Sequence, residues 1–229
     1  MIKGVMFDFS GTLFRVEPTA DWLRAVVDAA GVEATEAELA ACAARLEEAG
    51  ALPGGASPAR LPHHLVQEWE TRDLSPQAHR SVYTALTRGA GLPWPELVEP
   101  LYDRHHTPAA WRPYPDTDAT LRALRGRGVP VAVVSNIGWD LRPVFRHHGV
   151  YELVDAYLLS YEEGVQKPDA RLFAAACEAL GLPPEEVLMV GDSRQADGGA
   201  AALGCRVHLV EHLPVEQRPG ALTEVLREL

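Results

Sequence analysis

Five places along this 229-residue chain carry side chains able to do chemistry on a small molecule. Asp8 closes an apolar run over residues 2–7 and is followed by Phe9-Ser10-Gly11-Thr12-Leu13-Phe14. Ser135-Asn136 follows Val133-Val134, and Lys167-Pro168-Asp169 follows Gly164-Val165-Gln166. Gly191-Asp192-Ser193 follows the apolar residues 187–190, and Asp197 stands five residues after Asp192. A short apolar run ending in a carboxylate reads as a buried strand with Asp8 at its C-terminal edge, where open α/β sheets bind ligands. Gly11 and Thr12 turn the chain away, which lets backbone N–H groups face the space before Asp8. A carboxylate among such donors stays ionised and is able to act as a nucleophile.

The other four clusters invite similar readings, each with a plainer one beside it. The hydroxyl and amide of Ser135 and Asn136 suit an anionic oxygen, and equally suit the N-cap of a following helix. Pro168 stiffens the backbone beside Lys167 and Asp169 is placed to cap the next helix, so the ammonium is held in a defined place. The plain alternative is a solvated surface lysine. The chain has 19 Arg and only two Lys, Lys3 and Lys167. A compact ammonium at 167 against that bias suggests a positional need. Asp192 and Asp197, with Asp8, supply the hard oxygen donors that Mg²⁺ prefers. Read plainly, they are solvated turn aspartates. Those plain readings would have to hold independently at four strand ends.

These residues need a scaffold that gathers strand ends, and the pattern supplies one. Residues 19–104 show amphipathic helical stretches and no strand, with Thr35 and Glu38 forming a capping box and residues 53–58 a breaker-rich loop. From Asp116 onward strands and helices alternate: strands at 130–134, 156–159, 187–190 and 206–210, and helices at 117–127, 139–148, 169–180, from about 195, and 221–229. Alternation of this kind implies an α/β fold, a Rossmann-like parallel sheet with helices on both faces, plus an inserted α-helical cap. The boundaries read as residues 1–15 and 106–229 for the core and 16–105 for the cap.

Composition narrows the class of function. With 47% hydrophobic and 23% charged residues the chain is globular, and a net charge of −11 argues against nucleic acid as a partner. No leader is read before the first strand, and no apolar run approaches a membrane span. Cys42, Cys177 and Cys205 read as reduced thiols. A soluble cytoplasmic protein that engages no membrane is expected, with oligomeric state left open. The histidine pairs 63–64, 105–106 and 147–148 read as surface or packing residues, because adjacent side chains on a helix diverge.

Taken in order, the motifs resemble those of the haloacid dehalogenase superfamily of hydrolases. Asp8-Phe9-Ser10-Gly11-Thr12 looks like its nucleophile motif, Ser135 its second, Lys167-Pro168 its third, and Gly191-Asp192 with Asp197 its fourth. The helical block resembles the cap inserted directly after the first motif. The resemblance implies an Mg²⁺-dependent phosphatase or phosphotransferase acting on a small phosphorylated metabolite through an aspartyl-phosphate on Asp8. Asp8, Asp192 and the Ser10 carbonyl would hold the metal, with Asp197 supporting its waters or orienting Lys167. Ser135, Asn136 and Lys167 would hold the phosphoryl oxygens.

Ser10 departs from the pattern. Phosphatases of this type carry a second Asp two residues after the nucleophile as general acid and base, a function typically worth about 10²–10⁴ in rate. A hydroxyl orients water but cannot take its proton near neutral pH. Two alternatives follow: a 2-haloacid dehalogenase, in which Asp8 attacks carbon without a metal, and a non-catalytic phosphate- or metal-binding member of the fold. Asp192 speaks against the dehalogenase, whose relatives lack that carboxylate.

Overall fold

The computed structural model describes all 229 residues. Its strands are β1 (Gly4–Phe7), β2 (Phe14–Val16), β3 (Trp111–Pro113), β4 (Val131–Ser135), β5 (Ala156–Leu159), β6 (Val187–Gly191) and β7 (Arg206–Leu209). Five of them form one parallel sheet in the order β5-β4-β1-β6-β7. Every residue of β1, β4 and β6 is buried, which is why those strands read as unbroken apolar runs: both sheet faces are covered. Phe7 pairs with Val133 on one side and Val190 on the other. Asp8, Ser135 and Asp192 therefore leave the sheet within one residue of the same level. The chain passes outward from β1 to β4 and β5, then crosses back to β6, so the strand order reverses beside β1. That reversal opens the crevice used by ligands in open α/β sheets.

Contacts divide the chain into two compact units: residues 1–15, 73–75 and 112–229, and residues 16–72 and 76–111. In the first unit, the helix Ala170–Leu180 lays Leu172, Phe173, Ala176 and Cys177 against Met6, Ala132, Val134 and Met189 on one sheet face. Asp169 caps this helix by accepting from the Arg171 N–H at 2.9 Å. Phe9, Phe14 and Phe145 pack ring to ring in the same unit, with centroids 5.0–5.9 Å apart. Two expected α-helices form as 3₁₀ segments instead, at Asp197–Leu203 and Leu222–Arg227. In the first of these, Gly198-Gly199 removes the helix preference of its alanines, and Gly199 lies so close to the Pro168 carbonyl that a Cβ would stand 2.6 Å from its oxygen. β2 and β3, three residues each, pair in a small second sheet; they are too short for alternation to reveal in sequence.

The second unit is helical between Thr19 and Arg104. The Thr35–Glu38 capping box forms as read, with the Thr35 Oγ accepting from Glu38 N–H at 3.2 Å. Arg104 grips the buried Glu17 through two bonds of 2.8 Å, and the Trp22 indole N–H donates to Leu101 O at 2.9 Å. Of the histidine pairs, His63 and His64 are exposed, whereas His105 is fully buried beside His106, His79 and Tyr102. His79 Nδ1 lies 2.8 Å from the Tyr102 hydroxyl.

Burial holds the His79 imidazole down to about 3 and the His105 imidazole well below its ordinary 6.5, with nearby cationic groups adding to the effect. The neutral rings belong to the fold, while the unfolded chain takes up protons below about 6.5. Stability present above that value is therefore lost as pH falls toward 3, by on the order of 1 kcal/mol per pH unit for each such ring. Denaturant midpoints measured at pH 7 and pH 5 for the wild type and His79→Gln test this. The wild type should lose more between the two pH values than the variant, and equal losses contradict it.

Candidate active site

Asp8 follows β1 directly, and its N–H continues the ladder to Val190 O at 2.9 Å, so the rigid central strand fixes its backbone. Its carboxylate is almost buried. Lys167 Nζ stands 2.7 Å from Asp8 Oδ1 and 2.6 Å from Asp197 Oδ1, with the lysine only 4% exposed. A buried ammonium without partners would be driven neutral; the two carboxylates more than offset that cost and hold Lys167 above its ordinary range. Asp8 experiences the opposite balance. Burial pushes its carboxyl up to about 7, with Lys167 pulling down and Asp197 and Asp192 adding to the rise. One Asp8 oxygen is thus committed to Lys167, while the other receives only a long 3.3 Å bond from the Thr12 hydroxyl.

Asp192 follows β6, and its carboxylate comes within 4.8 Å of those of Asp8 and Asp197. Three carboxylates and one ammonium leave excess negative charge in one small volume, the chemistry that a hard divalent cation relieves. The donor set therefore fits Mg²⁺, with Asp8 and Asp192 as the side chains that would bind it. Asp197 is otherwise engaged. Its Oδ1 accepts from Lys167 and its Oδ2 accepts from Ser193 N–H at 2.9 Å, so it orients the lysine. Gly191 makes that approach possible, because a Cβ there would collide with the Asp197 carboxylate. Gly11, at φ +85°, does the same for Asp192.

The remaining predicted residues divide. Ser135 ends β4 buried, at the level of the carboxylates, and Ser10 is half-buried two residues beyond Asp8. Asn136 engages the protein: its Oδ1 accepts from Lys167 N–H at 2.7 Å and its Nδ2 donates one of its two N–H groups to Lys167 O at 2.9 Å, so the amide holds the lysine backbone. The Gly11 and Thr12 amides donate within the turn, to Phe14 O at 2.7 Å and Phe9 O at 3.4 Å, and the Thr12 hydroxyl faces Asp8. Sequence reasoning missed His212, whose Nδ1 bonds Asp192 Oδ2, and Arg218, which reaches the carbonyls of Gly11 and Thr12. No motif marks either residue; His212 lies 20 residues from its partner, and Arg218 lies 207 and 206 residues from the two it serves.

Because Asp8 has its carboxyl near 7 in the fold against an ordinary 3.8, folding favours its protonated form. The associated stability is complete below 3.8 and lost as pH rises to about 7. Asp8→Asn removes the charge but keeps an acceptor for Lys167. In chelator-treated protein it should raise the melting temperature at pH 8 by a few degrees, with little gain at pH 4. A lower or unchanged melting temperature at pH 8 contradicts the crowding described above.

The haloacid dehalogenase-like hydrolase family profile matches residues 2–204. Among curated relatives, haloacid dehalogenase-like hydrolase domain-containing protein 3 of Bos taurus is 36% identical over 115 residues, 50% of this chain and 46% of that protein. The chain thus spans about half the length of that relative. The glyceraldehyde 3-phosphate phosphatase of Methanopyrus kandleri is 30% identical over 254 residues, covering 100% of this chain and 99% of that one. A solved L-2-haloacid dehalogenase superimposes with a TM-score of 0.61 at 27% identity, over 93% of this chain and 86% of its own. With the profile spanning four of the five strands of the parallel sheet and the Asp8–Lys167–Asp192 cluster, the chain belongs to the haloacid dehalogenase-like hydrolases.

Proposed function

We propose that the protein is a Mg²⁺-dependent phosphatase or phosphotransferase for a small phosphorylated molecule. The observation that carries this reading is Asp192: its carboxylate, within 4.8 Å of that of Asp8, gives the site more negative charge than Lys167 balances. Bound by Asp8, Asp192 and the Ser10 carbonyl, the cation would supply charge neutralisation for a phosphoryl group approaching an anionic nucleophile. The full-length phosphatase relative adds support. Under this reading residues 16–105 form the cap that selects substrate, residues 1–15 and 106–229 form the catalytic core, and the setting is cytoplasmic. No helix is long and apolar enough to cross a membrane.

The residues divide the work. The Asp8 oxygen not held by Lys167 attacks phosphorus, forming an O–P bond as the ester O–P bond breaks; the leaving oxygen takes the bonding electron pair and is protonated by solvent water. Lys167 fixes the Asp8 carboxylate and faces the charge that develops on the phosphoryl oxygens, and the Ser135 hydroxyl donates to one of them. Water then attacks the same phosphorus, releasing phosphate and restoring Asp8. Ser10 orients that water without accepting its proton, so the second half is slow. Aryl phosphates, whose leaving groups need no protonation, are the suitable probes.

A second reading rests on Ser10 and on the dehalogenase structure. There Asp8 attacks carbon, displacing halide, and no cation is needed. One substitution separates the two. Ser10→Asp should raise steady-state hydrolysis of an aryl phosphate by tenfold or more, a fall in barrier of about 1.4 kcal/mol. Asp8→Asn should abolish turnover in either background. Metal-independent release of halide from a 2-haloacid, with no phosphatase activity in the wild type or Ser10→Asp, would favour the second reading.

Cation binding is checked directly by calorimetry. Mg²⁺ titrated into the wild type should give a saturable heat that Asp192→Ala lacks. Identical heats from the two proteins would remove Asp192 from the site.

A further inference from the structure

Beyond residue 204, where the family match ends, β7 leads into an irregular segment that returns to the catalytic cluster. Two of its residues touch the machinery. His212 Nδ1 bonds Asp192 Oδ2. An ionised carboxylate only accepts, so Nδ1 carries the hydrogen and the imidazole donates. Arg218, 4% exposed, donates through Nη1 to Gly11 O at 2.6 Å and through Nη2 to Thr12 O. Those are the two carbonyls of the turn that follows the nucleophile.

The segment is anchored at several further points. Arg218 also donates to Glu211 O at 3.2 Å, closing the segment on itself, and its guanidinium lies 3.3 Å above the Tyr114 ring. The Tyr114 hydroxyl donates to Leu213 O at 2.7 Å, and its N–H donates to Leu13 O at 3.1 Å. Gly11 completes the arrangement, since a Cβ at that position would collide with both Asp192 Oδ2 and His212 Nδ1. Turn, carboxylate and imidazole are thus packed as one unit. Burial lowers the Arg218 guanidinium from its ordinary range, yet an arginine stays charged. Only a planar fork reaches two adjacent carbonyls while lying flat on an aromatic ring; a lysine has neither geometry.

We infer that residues 211–218 form a strap whose His212 and Arg218 are positioning residues for the catalytic site. His212 holds one oxygen of Asp192 and so aims the other at the cation position. Arg218 holds the Gly11–Thr12 turn and so sets where the Asp8 carboxylate and the Ser10 carbonyl stand. Neither residue touches the phosphoryl group. The His212 half rests on the phosphatase reading, whereas the Arg218 half applies to any chemistry performed by Asp8.

The test compares the wild type, His212→Ala, His212→Gln and Arg218→Lys, after circular dichroism and thermal melts establish that each is folded. Calorimetric titration with Mg²⁺ should show binding weakened about 10- to 100-fold in His212→Ala. Partial recovery is expected in His212→Gln, whose amide can still donate. On an aryl phosphate, the loss in His212→Ala should be recovered by raising Mg²⁺. Arg218→Lys should lower kcat about tenfold with KM little changed, and saturating Mg²⁺ should not restore it. A purely structural role would lower stability without this split between the two variants.

Mg²⁺ affinity within twofold of the wild type in His212→Ala overturns the His212 assignment, and an unchanged kcat in Arg218→Lys overturns that of Arg218. Failure of the phosphatase reading has a different signature: a wild type that binds no Mg²⁺ and releases halide from 2-haloacids. That result also overturns the His212 assignment. Arg218 is then judged on haloacid turnover, where an unchanged kcat in Arg218→Lys overturns it too.

Discussion

Everything at the site is arranged around one buried ammonium. Lys167 lies 2.7 Å from Asp8 and 2.6 Å from Asp197, out of reach of bulk water. Removing those charges from solvent costs several kcal/mol per ion, and only close, well-aligned partners offset it. Several otherwise unrelated features of the chain serve that alignment. Asn136 grips the lysine backbone from both sides. Gly191 leaves room for Asp197, and Gly199 lets the segment after it approach Pro168. Three neighbouring parallel strands place their ends at one level, so the partners are fixed by backbone and not by long flexible side chains.

The same economy of charge explains the character of the nucleophile. Lys167 divides its attraction between two carboxylates, and Asp192, which accepts from His212, adds a third carboxylate to the cluster. Burial above all, with the charges of Asp197 and Asp192 adding to it and Lys167 opposing, pushes the Asp8 carboxyl up to about 7. A polyvalent cation relieves that imbalance more directly than any rearrangement of the protein would. Under the proposed function, phosphoryl chemistry and cation binding would be linked through one electrostatic condition, and Ser10 would bear on the later hydrolytic step. The helical unit answers to a different condition. Its buried histidines are held neutral by desolvation and pack with Tyr102 as a polar-rimmed core.

How much of this was legible in the sequence depends on distance along the chain. Residues 4–7, 131–134 and 187–190 carry no polar side chain because both sheet faces are covered, and that local fact named the strands and their C-terminal residues. Asp8, Ser135, Lys167, Asp192 and Asp197 could be picked out because each sits at a strand end or in the loop that follows. The arginine-rich composition made Lys167 conspicuous, and its burial between two carboxylates gives that exception a physical basis. The capping box of Thr35 and Glu38 formed as read for the same reason: its partners are three residues apart.

Tertiary structure decided what each polar group does with its hydrogen bonds. From sequence, Asn136 and the Gly11 and Thr12 amides were read as facing a substrate; in the folded chain Asn136 bonds the Lys167 backbone and the two amides bond within the turn. His212 and Arg218 carry no local signature, because their partners are 20 and about 200 residues away and become neighbours only when residues 211–218 fold back over the turn. Propensity and periodicity report short-range preferences. Hydrogen-bond partnership across a sheet edge is set by long-range packing, so the sequence determined which residues stand at the site and the tertiary fold determined which of them are free to react.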